Sequence, residues 1–281
     1  MSRRTNLHRR AVAVLGVLSI GILSPTACQE DSPLGLDDDR SGWELVWSDE
    51  FEGPAGQLPD AGNWRFDIGT DWGNAQLEYD TDRPENASLD GSGNLAITAR
   101  QESYQGSAYT SARITTKDLY EPQGGLIEAR IRLPSGKGIW PAFWLLGANI
   151  DTVPWPGCGE IDIMEFRGQE PSIVLGSLHG PGYSGSNPIT SEYFFENGRF
   201  DTGFHVYSVE WKENSVSWFV DGVRYRTVTR DEVPGEWVYD HPFYIILNVA
   251  VGGGFVGPPG PDTTFPQTML VDWVRVWERA Q

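Results

Sequence analysis

The chain has 281 residues, 39% of them hydrophobic, and its formal net charge at pH 7 is −18. This length is sufficient for one large domain with a sizeable core. Nucleic acids and anionic membrane surfaces repel so negative a protein, whereas a neutral polymer remains a suitable partner. The two cysteines, Cys28 and Cys158, are too few for a disulfide framework. We interpret Cys158 as a small packing residue, because the neighbouring sequence offers no base that would activate a thiol.

The N-terminal segment has the pattern of an export signal. Four arginines precede the apolar residues 11–23, and small residues then lead to Cys28. The Ala27-Cys28 junction resembles a bacterial lipoprotein processing site, which predicts a signal peptide over residues 1–28 and a lipid anchor at Cys28. Residues 29–41 are acidic and lack periodicity, so they predict a linker. We therefore expect an exported protein, extracellular or in the cell envelope, whose folded domain occupies residues 42–281.

From Trp43 onward the sequence consists of short strand patterns separated by turn residues, with no trustworthy window of helical period. The predicted strands are residues 44–51, 94–100, 110–116, 125–133, 142–146, 160–166, 174–179, 205–211, 215–220, 224–229, 243–249 and 269–277. The clearest hairpin turns at Asp221-Gly222, which supplies the two positive-φ positions of a tight turn. The pattern predicts an all-β jelly-roll sandwich of two bent antiparallel sheets, with a concave face suited to a chain-like ligand.

One predicted strand carries three carboxylates within six residues, Glu160, Asp162 and Glu165. Strand alternation places Glu160 and Asp162 on one face, but it would turn Glu165 towards the core. A buried unpaired carboxylate is costly, so we predict a β-bulge at Ile163-Met164 that returns Glu165 to the face of the other two acids. The two glutamate carboxyls would then lie about 5 Å apart, which is the separation in retaining glycosidases. The alternatives are a solvated acidic edge strand and a calcium site.

The stretch Glu-Ile-Asp-Ile-Met-Glu resembles the signature of family 16 glycoside hydrolases, in the longer form seen in bacterial laminarinases, which are endo-β-1,3-glucanases. The resemblance implies a concanavalin A-like jelly roll and a retaining, endo-acting hydrolase of β-1,3-glucan. It also implies that Glu160 is the nucleophile, that Asp162 assists and that Glu165 is the acid/base. We expect no cofactor for catalysis, and the scattered histidines do not predict a zinc site.

Further residues are candidates for sugar binding. Trp140 and Trp144 lie on one strand face just before the acidic strand, where they would provide stacking surfaces for sugar rings or else belong to the core. The resemblance favours the cleft for both tryptophans. It adds Asn74, Arg113, His179, Trp237 and Asn248 as cleft residues.

The resemblance also implies a structural calcium ion on the convex face. Glu50 and Asp272 would supply carboxylates, and a backbone carbonyl near Gly93 would be a third ligand. The alternative is that both acids are ordinary strand-edge residues.

Three functions are consistent with these patterns. The first is the retaining endo-β-1,3-glucanase, acting as a monomer on a β-glucan polysaccharide. The second keeps the chemistry but acts on mixed-linkage β-1,3-1,4-glucan or another β-linked polysaccharide. The third is a glucan-binding protein without catalysis, since a fold alone does not define an activity. The three acids favour an enzyme, because a binding protein has no need of three like charges side by side.

Overall fold

The computed structural model describes residues 40–280, and strands make up most of their regular structure. The strands are β1 (Trp43–Asp49), β2 (Arg65–Phe66), β3 (Glu78–Asp80), β4 (Ala87–Leu89), β5 (Leu95–Tyr104), β6 (Ser107–Ser111), β7 (Arg113–Thr115), β8 (Gly125–Arg132), β9 (Ile139–Gly147), β10 (Glu160–Phe166), β11 (Ile173–His179), β12 (Ile189–Phe194), β13 (His205–Lys212), β14 (Ser215–Val220), β15 (Val223–Thr229), β16 (Phe243–Val251) and β17 (Gln267–Arg279). A short 3-10 helix spans Arg230–Glu232. Across this described part, no helix is long and apolar enough to span a membrane.

The predicted signal peptide, Cys28 and the linker up to residue 39 lie outside the described residues. Export and lipid anchoring therefore stay predictions. The first strand begins at Trp43, where folding was expected to begin.

Two sheets form the described fold. The larger has the strand order β15-β14-β13-β8-β17-β5-β6-β3, with β1 added on β17 and β4 on β5. The smaller has the order β12-β11-β10-β9-β16-β7-β2. The strand pairs are antiparallel, except that β3 runs parallel to β6. The prediction of an all-β sandwich is thus confirmed, with one parallel pair that the sequence pattern did not indicate.

The main core contains residues from both sheets. On β10, Ile161, Ile163 and Met164 are buried, and they join a cluster that includes Trp218 and Val274 of the larger sheet. The smaller sheet can therefore carry polar and aromatic side chains on its other face without removing apolar side chains from the core.

The predicted strands match the structure best where alternation is regular. The hairpin is confirmed, because Asp221 (φ 48°) and Gly222 (φ 76°) connect β14 to β15. Residues 110–116, predicted as one strand, divide between β6 of the larger sheet and β7 of the smaller sheet. The prediction omitted β2, β3 and β4, which are too short to show a period, and also β12, an edge strand that follows a glycine-rich loop.

Candidate active site

The predicted bulge lies in β10. Asp162 pairs with Trp144 of β9, but the next pair on that strand is Met164 with Phe143, so β10 contains one extra residue. The register with β11 shifts over the same segment. Because the extra residue is absorbed there, Glu160, Asp162 and Glu165 all line one cleft while the apolar residues of β10 face the core. The bulge prediction is therefore confirmed.

A tryptophan of the opposite sheet holds the bulge from behind. Trp218 of β14 is buried in the core, and its indole N–H donates to the backbone carbonyl of Asp162 at 2.8 Å. Gly176 of β11 leaves room for the ring, because a Cβ at this position would lie 2.4 Å from Trp218. A carbonyl next to a bulge can lose its ladder partner, and Trp218 supplies a donor for this one.

The cleft crosses the outer face of the smaller sheet and has a volume of about 750 Å³. Side chains of six adjacent strands, β7, β16, β9, β10, β11 and β12, contribute to it. Besides the three acids, the predicted residues that line it are Asn74, Arg113, Trp140, Trp144, His179 and Asn248. The structure thus brings together all but one of the predicted catalytic and sugar-binding residues.

Each glutamate of the cleft accepts a hydrogen bond from one tryptophan. The indole N–H of Trp155 donates to Glu160 Oε2 at 3.0 Å, and that of Trp140 donates to Glu165 Oε1 at 3.1 Å. These donors restrict the rotation of both carboxyls and favour their ionised forms.

His179 lies between the acids and a loop that rims the cleft. Its Nδ1 accepts a hydrogen bond from the backbone N–H of Gly185 at 3.2 Å. Its Nε2 lies 3.1 Å from Asp162 Oδ2 and 3.5 Å from Glu160 Oε1. With Nδ1 acting as an acceptor, the neutral ring carries its proton on Nε2, which faces the two carboxylates.

Glu160, Asp162 and His179 bring possible metal-ligand atoms within 4.8 Å of one another. The protonated Nε2 of His179 has no lone pair to offer a metal ion, however. We therefore interpret the cluster as a hydrogen-bonding and proton-holding arrangement.

Burial dominates the electrostatics of the acids. Desolvation, together with the neighbouring charge of Asp162, raises the pKa of Glu160 and that of Glu165 to about 8. Desolvation also raises the pKa of Asp162 to about 8. The cleft therefore holds protons at neutral pH, and proton retention is what a general acid requires.

One part of the cleft is a stack of aromatic rings around an arginine. The Arg113 guanidinium lies 4.8 Å from the ring centres of both Trp72 and Trp144, and its Nε donates to Asp67 at 2.9 Å. The Trp144 indole donates to Asn248 Oδ1 at 2.8 Å. These contacts fix flat ring surfaces next to polar groups, an arrangement that suits sugar rings.

The model of Glycosyl hydrolases family 16 matches residues 70–275 of this chain. The chain belongs to glycoside hydrolase family 16. A beta-glucanase from Rhodothermus marinus is 41% identical over 259 residues, which are 88% of this chain and 90% of that protein. Among solved structures, the laminarinase catalytic domain from Thermotoga maritima MSB8 matches with a TM-score of 0.80 and 47% identity, over 85% of this chain and 99% of that chain. The endo-beta-1,3-glucanase from Pyrococcus furiosus matches with a TM-score of 0.81 and 45% identity, over 85% of this chain and 95% of that chain.

The placement of Trp237 corrects one prediction for this family 16 chain. Trp237 does not line the cleft but belongs to the core. Its ring packs edge-on against that of Tyr239, with 4.8 Å between the ring centres. Its indole N–H donates to the backbone carbonyl of Glu213 at 3.0 Å. Because the ring of Trp237 packs in the core and its N–H has a backbone acceptor, we interpret this side chain as a core residue.

Two of the three predicted calcium ligands, the carboxylates of Glu50 and Asp272, are engaged by arginines. Both carboxylate oxygens of Glu50 accept from Arg275, at 2.9 and 2.8 Å, and Asp272 accepts from Arg130. In this arrangement the two side chains do not form an open set of oxygen ligands, so they do not fit a calcium ion as predicted. Calcium binding to this family 16 chain stays a prediction.

Three aromatic residues of the cleft, Trp72, Trp155 and Phe255, were not among the predicted site residues. All three lie in loops, where strand alternation assigns no face. Phe255 packs on Trp140 with 4.9 Å between ring centres, and Trp155 donates a hydrogen bond to Glu160. A signal was available for Trp155, because a tryptophan between two prolines, five residues before Glu160, is held close to the acidic strand.

Proposed function

We propose that this chain is a retaining, endo-acting glycoside hydrolase that cleaves β-1,3-glucan. The observation that carries the proposal is the bulge in β10, which places Glu160, Asp162 and Glu165 together in one cleft. Relatives named beta-glucanase, laminarinase and endo-beta-1,3-glucanase support the choice of polymer.

In the first half of the reaction, the Glu160 carboxylate attacks the anomeric carbon of a bound sugar. The bond from that carbon to the glycosidic oxygen breaks, and the departing oxygen takes the proton of Glu165. The products are a glycosyl ester on Glu160 and a shortened chain with a new hydroxyl group. Protonation of Glu165 before this step fits its raised pKa of about 8.

In the second half, the Glu165 carboxylate takes a proton from water while the water oxygen attacks the same anomeric carbon. The ester bond breaks and Glu160 is released as a carboxylate. Two inversions at one carbon restore the starting configuration. Asp162 lies between the glutamates in sequence and faces His179 Nε2 at 3.1 Å, so it can hold a proton or a hydrogen bond as their charges change.

The shape of the cleft suits attack within a polymer chain. Six strands at a spacing of about 4.8 Å give a face roughly 24 Å wide, which accommodates several sugar rings. Arg113 lies on β7, three strands away from the acids of β10, so the group that it forms with the rings of Trp72 and Trp144 can hold sugar units away from the reacting bond.

The test is to incubate the full chain with laminarin, barley mixed-linkage glucan, agarose and cellulose, and to size the products. We expect laminarin to be cleaved fastest, to oligosaccharides of several lengths, with retained anomeric configuration by NMR. The isosteric Glu160→Gln variant is the control and should release no products. Faster cleavage of the mixed-linkage glucan would make that polymer, and not β-1,3-glucan, the proposed substrate. Binding without products from any of the four polysaccharides would support a glucan-binding protein instead.

A further inference from the structure

Trp155 differs from the other tryptophans of the cleft because its indole contacts the proposed nucleophile. It lies between β9 and β10, and its indole N–H donates to Glu160 Oε2 at 3.0 Å. The corresponding bond to Glu165 comes from Trp140, which is part of β9. The two glutamates therefore depend on different elements for their indole donors.

The loop that carries Trp155 is held in place by its own backbone. Val153 N–H donates to the Asn149 carbonyl at 2.8 Å, and Gly157 N–H donates to the Pro154 carbonyl at 2.9 Å. Pro154 and Pro156 flank the tryptophan and restrict its neighbouring φ angles. The indole is therefore largely pre-positioned before a ligand arrives.

The Trp155 ring lies beside His179 and Gly185. Its centre lies 5.9 Å from that of His179, and a Cβ on Gly185 would lie 3.9 Å from its edge. Trp155 as a residue nevertheless keeps 42% of its surface exposed, and it lines the cleft. A polymer in the cleft can cover this exposed part and exclude water from the bond to Glu160.

We propose that Trp155 is a positioning residue that holds Oε2 of Glu160, so that Oε1 stays available to attack the anomeric carbon. This inference rests on the proposed function, because it assigns Trp155 a part in the same reaction. An N–H donor also stabilises a carboxylate relative to a carboxylic acid, so Trp155 favours the negative charge on Glu160. The other groups that face Glu160 are Asp162 and Glu165 on its own strand, His179 on β11, and Cys158 and Tyr239 beside it.

The test uses Trp155→Phe, which keeps an aromatic ring but removes the N–H. Without this donor the pKa of Glu160 rises, and since the nucleophile must be ionised, the acidic limb of the kcat/KM profile should move to higher pH. A hydrogen bond to a charged group predicts a shift of about one pH unit. The kcat profile, which reports the substrate complex, should shift at least as far because the bound polymer covers the bond.

Trp140→Phe is the matched control, because it removes the indole donor of Glu165. The general acid must be protonated, so a higher pKa of Glu165 should move the basic limb to higher pH and leave the acidic limb in place. An unmoved acidic limb in Trp155→Phe, or a lower rate at every pH without a shift, would overturn the role of Trp155. The proposed function fails separately, if the wild-type chain cleaves no β-glucan or if Glu160→Gln retains full activity.

Discussion

The individual pKa values do not by themselves divide the work among the three acids of the cleft. Burial raises the pKa of Glu160, Asp162 and Glu165 alike to about 8, because all three carboxyls are desolvated in the same cleft. What differs is their contacts. Glu160 has Trp155 and His179 beside it, whereas Glu165 has hydrogen bonds with Trp140 and Ser177. Chemical rescue can assign the two roles independently of their titration.

We expect Glu165→Ala to lose about 10²–10⁴-fold in kcat on polymer, the usual contribution of a general acid. Substrates with a good leaving group need no proton, so they should still form the ester on Glu160. Added azide should then release a β-glycosyl azide that keeps the starting configuration, which NMR identifies. Glu160→Ser should not hydrolyse ordinary substrates but should build new linkages from an α-glycosyl fluoride, which imitates the intermediate.

The opposite pattern would reverse the assignment. If azide rescues the Glu160 variant with inverted product, and the Glu165 variant gives no azide adduct, then Glu165 is the nucleophile and Glu160 the acid.

At the scale of elements, the site depends on a contact between the two sheets. Trp218 of β14 donates through the core to the Asp162 carbonyl, beside the extra residue of β10. That extra residue determines the separation of the two glutamates along the strand. A change in the opposite sheet should therefore alter the reaction without touching the cleft.

We predict that Trp218→Phe loses about 2 kcal/mol of unfolding free energy, because the Asp162 carbonyl is left unsatisfied and the smaller ring leaves a gap. Its kcat should also fall by about tenfold or more, since small displacements of catalytic groups are costly. Urea unfolding and kcat measured well below Tm separate the two effects.

Trp237→Phe is the matched control for this prediction. Trp237 is also buried, and its indole donates to the Glu213 backbone carbonyl, which is not part of the cleft. Its loss should lower stability by a similar amount but leave kcat and KM near the wild-type values. Equal effects of the two substitutions on kcat would show that Trp218 has no special connection to the bulge.

The sequence predicted the acidic strand well because a single physical conflict pointed to the bulge. Regular alternation would have buried Glu165, and the cost of a buried charge left one acceptable solution. No comparable conflict marks Trp237, since a tryptophan is suited both to a core and to a sugar-binding surface. Trp155 and Phe255 lie in loops, and β12 is an edge strand after a glycine-rich loop, so periodicity could not place them. The pairing of Glu50 and Asp272 with Arg275 and Arg130 depends on strands far apart in sequence.

For the whole molecule, the cleft creates a dependence of stability on pH. The acids of β10 have a pKa near 8 in the folded chain, and burial raises the pKa of Glu78 on β3 to about 7, whereas such groups titrate near pH 4 when the chain is unfolded. Between these values the folded chain binds more protons than the unfolded chain. The contribution of these protonated carboxyls to the free energy of unfolding is therefore complete below about pH 4 and is lost as the pH rises to about 8.

Carboxylates on the surface act in the opposite direction at lower pH. The pKa of Glu102 is lowered by hydrogen bonds from Thr110 and Arg83, and that of Glu232 is lowered by hydrogen bonds from Thr229. Protonation of such groups removes their stabilising contacts below about pH 4. Mutual repulsion in a chain of charge −18 further lowers stability at high pH. The unfolding temperature should therefore be highest near pH 5.

The Glu160→Gln variant tests whether the cleft acids cause the loss of stability as the pH rises. The amide keeps the shape of the side chain and can still accept from Trp155, but it releases no proton, so the free energy that the wild type loses on ionisation at this position is retained. We predict that Tm of this variant exceeds the wild-type value by at least about 3 °C at pH 8 and differs little at pH 4.5. Glu196→Gln, on the exposed surface after β12, should change Tm little at either pH. Calorimetry of the three proteins across this range is the measurement, and an equal Tm difference between Glu160→Gln and wild type at both pH values would refute the linkage. Since Glu160→Gln also abolishes the proposed reaction, a higher Tm at pH 8 would measure the stability that the active cleft gives up for its function.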